Sequence, residues 1–335
     1  MTRAAVLLRA ETVEVIHRRS TPPAGTNDAL VRVLSSGVCG TDVEIFRGNT
    51  SVAPGRVLGH EGAGVVLEAP AESGLEPGAP VVIDPTIACG TCPICREGLP
   101  NLCPHGGLLG RELDGVFADE AAVPAANLHV LPDDVPLADA PLLQVLSTVV
   151  HAQELVRVVP GRLAAVVGLG CSGQLHAQLL GHRGARVLGV TRSAEKRARA
   201  ADLGCGWTAA PEDALALACE LDPRGGADLV VECAGKVETL DLALELVRPG
   251  GTVLAYGIIT AEAGELAFYR LYKKELRVVG ARSSLPRDME IAIGLAASGA
   301  VRLAPLVTER LPLEAVAEAI ERSAAGSQKV VLDHQ

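Results

Sequence analysis

Two short glycine-flanked clusters carry a thiol, an imidazole and a carboxylate: Gly37-Val38-Cys39-Gly40-Thr41-Asp42 and Gly59-His60-Glu61-Gly62-Ala63-Gly64. Cys39, His60 and Glu61 together are a donor set suited to a divalent zinc ion. Gly40 and Gly62 are expected to leave the backbone beside Cys39 and His60 uncrowded, so that ion and substrate can approach. An ion held with one open coordination position would activate a substrate oxygen or a water.

A second cluster reads Cys89-Gly-Thr-Cys92-Pro-Ile-Cys95, with Cys103 eight residues further on. Two overlapping CxxC steps and a fourth thiol can wrap one tetrahedral ion. Successive backbone N–H groups then point at the sulfurs and favour thiolates. Four protein ligands close the shell, so this zinc is expected to be structural. Disulfides are the competing use of the nine cysteines, and they belong to an oxidising compartment.

The third motif is Gly168-Leu169-Gly170-Cys171-Ser172-Gly173, a GxGxxG turn. It lies between the apolar run Leu163–Val167 and a helical pattern at 174–180, which is the context a dinucleotide site requires. The glycines permit a tight turn and let a pyrophosphate rest on the helix N-terminus, with Cys171 a small filler. After the next apolar run, an NAD site wants an acid for the ribose 2′-hydroxyl. Here Thr191 and Arg192 stand in its place, with Lys196 and Arg197 close by. Cations without an anion suit a 2′-phosphate, so NADP(H) is expected in preference to NAD(H).

These residues need scaffolds. Short β-rich runs at 4–8, 13–17, 30–35, 64–68, 80–83 and 116–123, punctuated by Gly and Pro, predict a β-rich first domain over 1–146. Apolar residues Leu142, Val145, Leu146, Val149 and Val150 recur at helical spacing and predict a helix from near Asp139 into the 150s. From 147 to 281 strand and helix patterns alternate, with strands at 163–167, 186–190, 227–232, 251–256 and 276–280. This alternation predicts a doubly wound parallel sheet, an α/β coenzyme domain. The tail, 282–335, carries a helix from 287, a strand near 306–310, a helix at 313–325 and a strand at 329–332. It is assigned to the first domain because the parallel sheet is already complete.

Composition narrows the function classes. The 335 residues suit two domains; 48% are apolar, only 2% aromatic, and the net charge is −10. An acidic chain poor in aromatics is not expected to bind nucleic acid or an anionic membrane. No run approaches the roughly 20 apolar residues of a membrane span, and the first residues read as a strand, so a cytoplasmic location is expected.

Taken in order, the motifs resemble the zinc-containing medium-chain alcohol/polyol dehydrogenases, and the segment Leu271-Tyr272-Lys273-Lys274-Glu275-Leu276 is most similar to their sorbitol/threonine branch. The resemblance implies a GroES-like catalytic domain joined to a Rossmann domain, one catalytic and one structural zinc, and a homodimer or homotetramer. It also implies that Cys39 and His60 bind the catalytic zinc, that Glu61 can enter its shell, and that Thr41 bonds the reacting hydroxyl. The sequence departs from the family pattern in three places. Gln144 occupies the position of the remaining ligand, where a Cys, Glu or Asp is usual. Glu44 replaces the relay histidine, and Pro70 stands where a small residue is usual. Gln144 and Glu44 are similar to the family's glucose dehydrogenases. The expected substrate is a polyol, sugar or other hydroxylated secondary alcohol, or the corresponding ketone. An amino alcohol such as threonine, or a ketone reduced in a biosynthetic pathway, is second. Two rivals lack this chemistry: a metal-free enone reductase, and a zinc-stabilised nucleotide-binding protein.

Overall fold

The computed structural model describes residues 1–19 and 27–335. The chain divides into two compact units, one comprising Met1–Ser147, Ser283–Ser298 and Leu303–Gln335, the other Thr148–Arg282 with Gly299–Arg302. Among the described residues no helix is long and apolar enough to cross a membrane.

The first unit is built on a seven-stranded sheet centred on Asp28–Val38. That strand pairs antiparallel with Glu61–Glu68 on one side and with Val330–Asp333 on the other. The sequence-distant tail therefore lies beside the strand that leads into Cys39. Its register is fixed by Val330, Val331 and Leu332, all fully buried. His334 follows. It takes an N–H bond to Leu34 O, its Nε2 meets Ser36 Oγ at 2.8 Å, and its Nδ1 meets Ala118 O at 2.9 Å.

The second unit holds a six-stranded parallel sheet. Its strands, from one edge to the other, are Trp207–Ala209, Arg186–Val190, Leu163–Val167, Ala227–Glu232, Val247–Ala255 and Arg277–Gly280. The central strand Leu163–Val167 is buried at every position, as a strand covered on both faces must be. Strand order reverses beside it, which places a ligand crevice at the carboxyl ends of these strands.

Three local differences from the sequence reading have physical causes. Residues 116–117 form no part of a regular strand. Their N–H groups bond the carbonyls of Gly59 and Leu58, and the strand proper is Glu120–Pro124. The tail strand lies at Glu309–Pro312, because Ala304–Leu306 forms a 3₁₀ turn that starts at a proline-containing segment. Last, the residues after Cys39, for which the sequence reading assigns no element, form a short helix, Gly40–Phe46.

Candidate metal and coenzyme sites

That unexpected helix organises the first cluster. Cys39 is its N-cap, in extended conformation, and Asp42 Oδ2 accepts the Cys39 backbone N–H at 2.9 Å. The other carboxylate oxygen of Asp42 has no hydrogen bond and lies 3.5 Å from His60 Nδ1. One fully buried carboxylate thus fixes the Cys39 backbone and faces one nitrogen of His60, leaving Nε2 as the available ligand atom. Burial alone would depress the His60 pKa, but Asp42 and Cys39 outweigh it and hold it well above the ordinary value. A buried site that draws a proton so strongly is one that a divalent cation would satisfy.

The ligand atoms of Cys39, His60 and Glu61 all lie within 4.8 Å of one another. Glu61 is fully buried, and both its oxygens accept from Lys329 Nζ, at 2.8 and 2.7 Å. Lys329 Nζ also reaches Val38 O at 3.0 Å. The Glu61 carboxylate lies over Gly37, where an added Cβ would come within 2.0 Å of Oε2. Gly37 therefore makes the room for this ion pair. Gly40 meets nothing within 4 Å, as expected of an open approach. Gly62 has a different reason: a Cβ there would strike Val116 at 2.9 Å, so its smallness serves core packing and not the ion.

Thr41 Oγ1 lies 4.0 Å from Cys39 Sγ. Glu44 is half-buried, outside the ligand group, and accepts from Asn49 Nδ2 at 2.9 Å in the turn after the helix. Gln144 is buried in the first turn of the helix Leu142–Glu154, within the same compact unit as Cys39 and His60. Sequence reasoning missed Asp42 and Lys329. The first was legible as the third residue of a helix capped by Cys39, the second as a lone cation opening an apolar strand.

The four-cysteine lobe contains no disulfide, and its sulfurs lie within 4.8 Å of one another. Cys89–Cys95 and Cys92–Cys103 are 3.9 Å apart and Cys89–Cys103 3.5 Å. A tetrahedron with metal–sulfur bonds of about 2.3 Å has edges of about 3.8 Å, so the thiols already stand at zinc spacing. Cys92 N–H points at Cys89 Sγ and Cys95 N–H at Cys92 Sγ. Backbone donors from Thr91 and Cys92 pull the Cys89 thiol down to about 5, ready to ligate.

In the second unit the glycine turn divides its labour among its residues. Gly168 has φ +94°, a conformation that favours glycine, and an added Cβ would crowd Ala234 at 3.0 Å. Gly170, the N-cap of the helix Cys171–His182, is exposed with open space around it. Gly173 packs so closely that a Cβ would lie 1.9 Å from Gly168 O. Tight turn, open approach and close helix contact are the three demands of a pyrophosphate cradle, and these residues fit it. Cys171 and Ser172 are half-buried at the helix start.

At the end of the neighbouring strand, Arg197 Nη1 donates to the carbonyls of Thr191 (2.6 Å) and Arg192 (2.9 Å). It thereby shapes the loop that presents Arg192. Ser193 caps the helix Ala194–Asp202 through the Lys196 N–H, and the Lys196 carbonyl accepts from Gln174. Arg192 itself is exposed and meets no carboxylate among the described residues.

Comparison with known proteins places the chain in a family. Residues 25–133 match the family model described as alcohol dehydrogenase GroES-like domain, and residues 172–298 the one described as zinc-binding dehydrogenase. The chain is 31% identical over 299 residues to sorbitol dehydrogenase of Halalkalibacterium halodurans, covering 88% of this chain and 87% of the relative. It is 30% identical to L-galactonate-5-dehydrogenase of Escherichia coli, covering 99% and 98%. A zinc-binding dehydrogenase of Sinorhizobium meliloti, solved with NADP bound, superposes with a TM-score of 0.92 at 32% identity over 99% of both chains.

Proposed function

From the premise that the chain belongs to the zinc-containing medium-chain alcohol/polyol dehydrogenase family, we propose the particular form its chemistry takes. The protein is an alcohol dehydrogenase acting on CH–OH groups, with zinc and a nicotinamide coenzyme. Our reading is that it moves a hydride between NADP(H) and a secondary alcohol or its ketone, the alcohol being a polyol or sugar acid.

The observation that carries this reading is the convergence of Cys39, His60 and Glu61, with buried Asp42 touching the first two. Cys39, His60 and Gln144 would hold the catalytic zinc, and Cys89, Cys92, Cys95 and Cys103 the structural one. When bound, the catalytic zinc supplies Lewis acidity that makes a substrate hydroxyl easier to deprotonate. Asp42 keeps His60 oriented and neutralises part of the site's charge. The Thr41 hydroxyl would accept the alcohol proton while releasing its own, and Glu44 would pass that released proton to solvent. Lys329 keeps Glu61 compensated beside the site without requiring it as a permanent ligand. Gln144 contributes a neutral amide oxygen, so the set carries fewer negative charges than the usual one.

For the coenzyme, Gly168, Gly170, Cys171, Ser172 and Gly173 would cradle the pyrophosphate. Arg192 would meet the 2′-phosphate, with Lys196 nearby and Arg197 holding the loop. Support comes from the exposed Arg192 guanidinium, which meets no carboxylate among the described residues, the missing acid at Thr191, and the NADP carried by the Sinorhizobium meliloti relative. The substrate class rests on the relatives named for sorbitol and L-galactonate. A second reading, threonine as substrate, is supported by 29% identity to L-threonine 3-dehydrogenase of Pyrococcus horikoshii. We also assign a homo-oligomer, since Tyr272 and Val278 are 81% and 48% exposed on and beside the edge strand Arg277–Gly280.

The test is a panel of polyols, sugar acids and threonine assayed with NAD and NADP on zinc-replete protein. Turnover of a polyol or sugar acid with NADP preferred is expected. Exclusive threonine oxidation, or a strong NAD preference, would reverse the corresponding assignment.

A further inference from the structure

A cavity of about 420 Å³ opens in the second unit where the strands Arg186–Val190 and Trp207–Ala209 begin. The glycine turn lies at the opposite, carboxyl end of this sheet. Its volume is within the ~300–1,000 Å³ of small-molecule sites and far beyond the ~30 Å³ share of one water.

The lining is basic in an acidic protein. The chain holds 40 acidic against 30 basic residues, yet Arg186, Arg302 and His182 face this cavity and no Asp or Glu does. Arg183 and Arg199, on neighbouring turns, each meet a carboxylate. Arg186 and Arg302 meet none among the described residues. The Arg186 guanidinium instead lies over the Trp207 ring, 5.1 Å from its centroid, which holds it in place without cancelling its charge.

Arg302 is held with equal care. The buried amide of Gln178 accepts the Arg302 N–H at 2.8 Å and donates to its carbonyl at 3.2 Å. One guanidinium nitrogen reaches Asp202 O at 2.6 Å. The remaining donors have no partner among the described residues. Gly181 keeps the space clear: an added Cβ would meet nothing within 4 Å, whereas Gly204, at φ +94°, is a glycine for its backbone conformation. No packing contact calls for a glycine at position 181, inside a helix where alanine would be favoured by about 1 kcal/mol. Val187 and Leu203 supply an apolar floor.

We infer that this cavity binds a small organic oxyanion, a phosphate ester or a carboxylate, at a site separate from the coenzyme crevice. Two positioned guanidiniums line the cavity, each with the planar donor fork that such anions recognise, and the apolar floor and volume exceed what a bare inorganic ion would use. This inference does not depend on which coenzyme the protein prefers.

Trp207 is the only tryptophan in the chain, so its fluorescence reports the cavity directly. Glycerol 3-phosphate and succinate would each be titrated against sodium chloride at matched ionic strength. A saturable change with one of the two is expected, and the responding probe identifies phosphate ester or carboxylate. Arg302→Ala should weaken it at least tenfold, and Arg192→Ala should leave it unchanged. Calorimetry on Arg186→Ala, which alters the fluorophore's own surroundings, should show the same loss. The inference is overturned if both probes merely follow the salt control. It is equally overturned if the response survives Arg302→Ala or disappears in Arg192→Ala.

Discussion

At the scale of single residues, the first metal cluster is an arrangement of compensated charge. Asp42 touches both the Cys39 backbone and His60, so Asp42→Asn should cost about 10–100-fold in zinc affinity at the Cys39 site. Zinc retention during graded chelation measures it, and the four-cysteine zinc serves as internal control. Lys329 poses a different question. Lys329→Ala leaves a buried carboxylate without its cation, which typically costs about 3–5 kcal/mol and should appear as a large drop in Tm. An unchanged Tm would mean that Glu61 finds another partner. On the coenzyme side, Arg192→Ala removes one charge-assisted contact worth roughly 1.5–3 kcal/mol. It should raise the KM for NADP by about 10–100-fold and leave that for NAD nearly constant. The clustering of Cys39, His60 and Glu61 was legible in the sequence, because they are chemically rare residues in glycine frames. The supporting groups were not. Asp42 and Lys329 are ordinary surface types whose burial depends on a short helix and on a strand pairing nearly 300 residues apart.

Among the elements, the parallel strands Leu163–Val167, Arg186–Val190 and Ala227–Glu232 could be read to the residue, since strands covered on both faces are mostly apolar runs, with Arg186, Asp228 and Glu232 at or near the ends. The helix Gly40–Phe46 could not. Seven residues beginning with glycine lack the periodicity that identifies a helix, and capping by Cys39 and Asp42 decides its existence. Strand Val330–Asp333 was foreseen, but its neighbour was not, because register against Asp28–Val38 is a tertiary fact. The clasp at its end carries a pH signature. Burial pushes the His334 imidazole down to about 4, below its unfolded value near 6.5. The unfolded chain therefore binds more protons between those values, and stability rises with pH there. The contribution is complete above about pH 6.5 and is lost on acidification toward pH 4, on the order of 3 kcal/mol in all. Thermal melts from pH 4 to 8 should show this slope, reduced in His334→Gln. A slope would remain, since His176 is also buried and pushed down to about 3. An identical slope in the variant would remove His334 from the account.

For the whole molecule, the two compact units divide the candidate residues: Cys39, His60, Glu61 and the four-cysteine lobe in one, the glycine turn in the other. The sequence announced this through its change from β-rich to alternating patterns. The tail, assigned whole to the first domain on the ground that the parallel sheet was complete, divides: Ser283–Ser298 and Leu303–Gln335 group with the first unit and Gly299–Arg302 with the second. Assembly is decided at a surface, which patterning does not describe. Val278→Asp on the exposed edge strand should convert an oligomer to monomers in sedimentation, and an unaltered coefficient would place the interface elsewhere. The central claim is that a second zinc, held by Cys39 and His60, performs the chemistry. Zinc content per chain, measured alongside turnover for wild type and Cys39→Ser, tests it most directly. We predict two ions in the wild type, and one in a folded variant with turnover lowered by about a thousandfold or more. Two ions retained in the variant, or full turnover with only one, would contradict it.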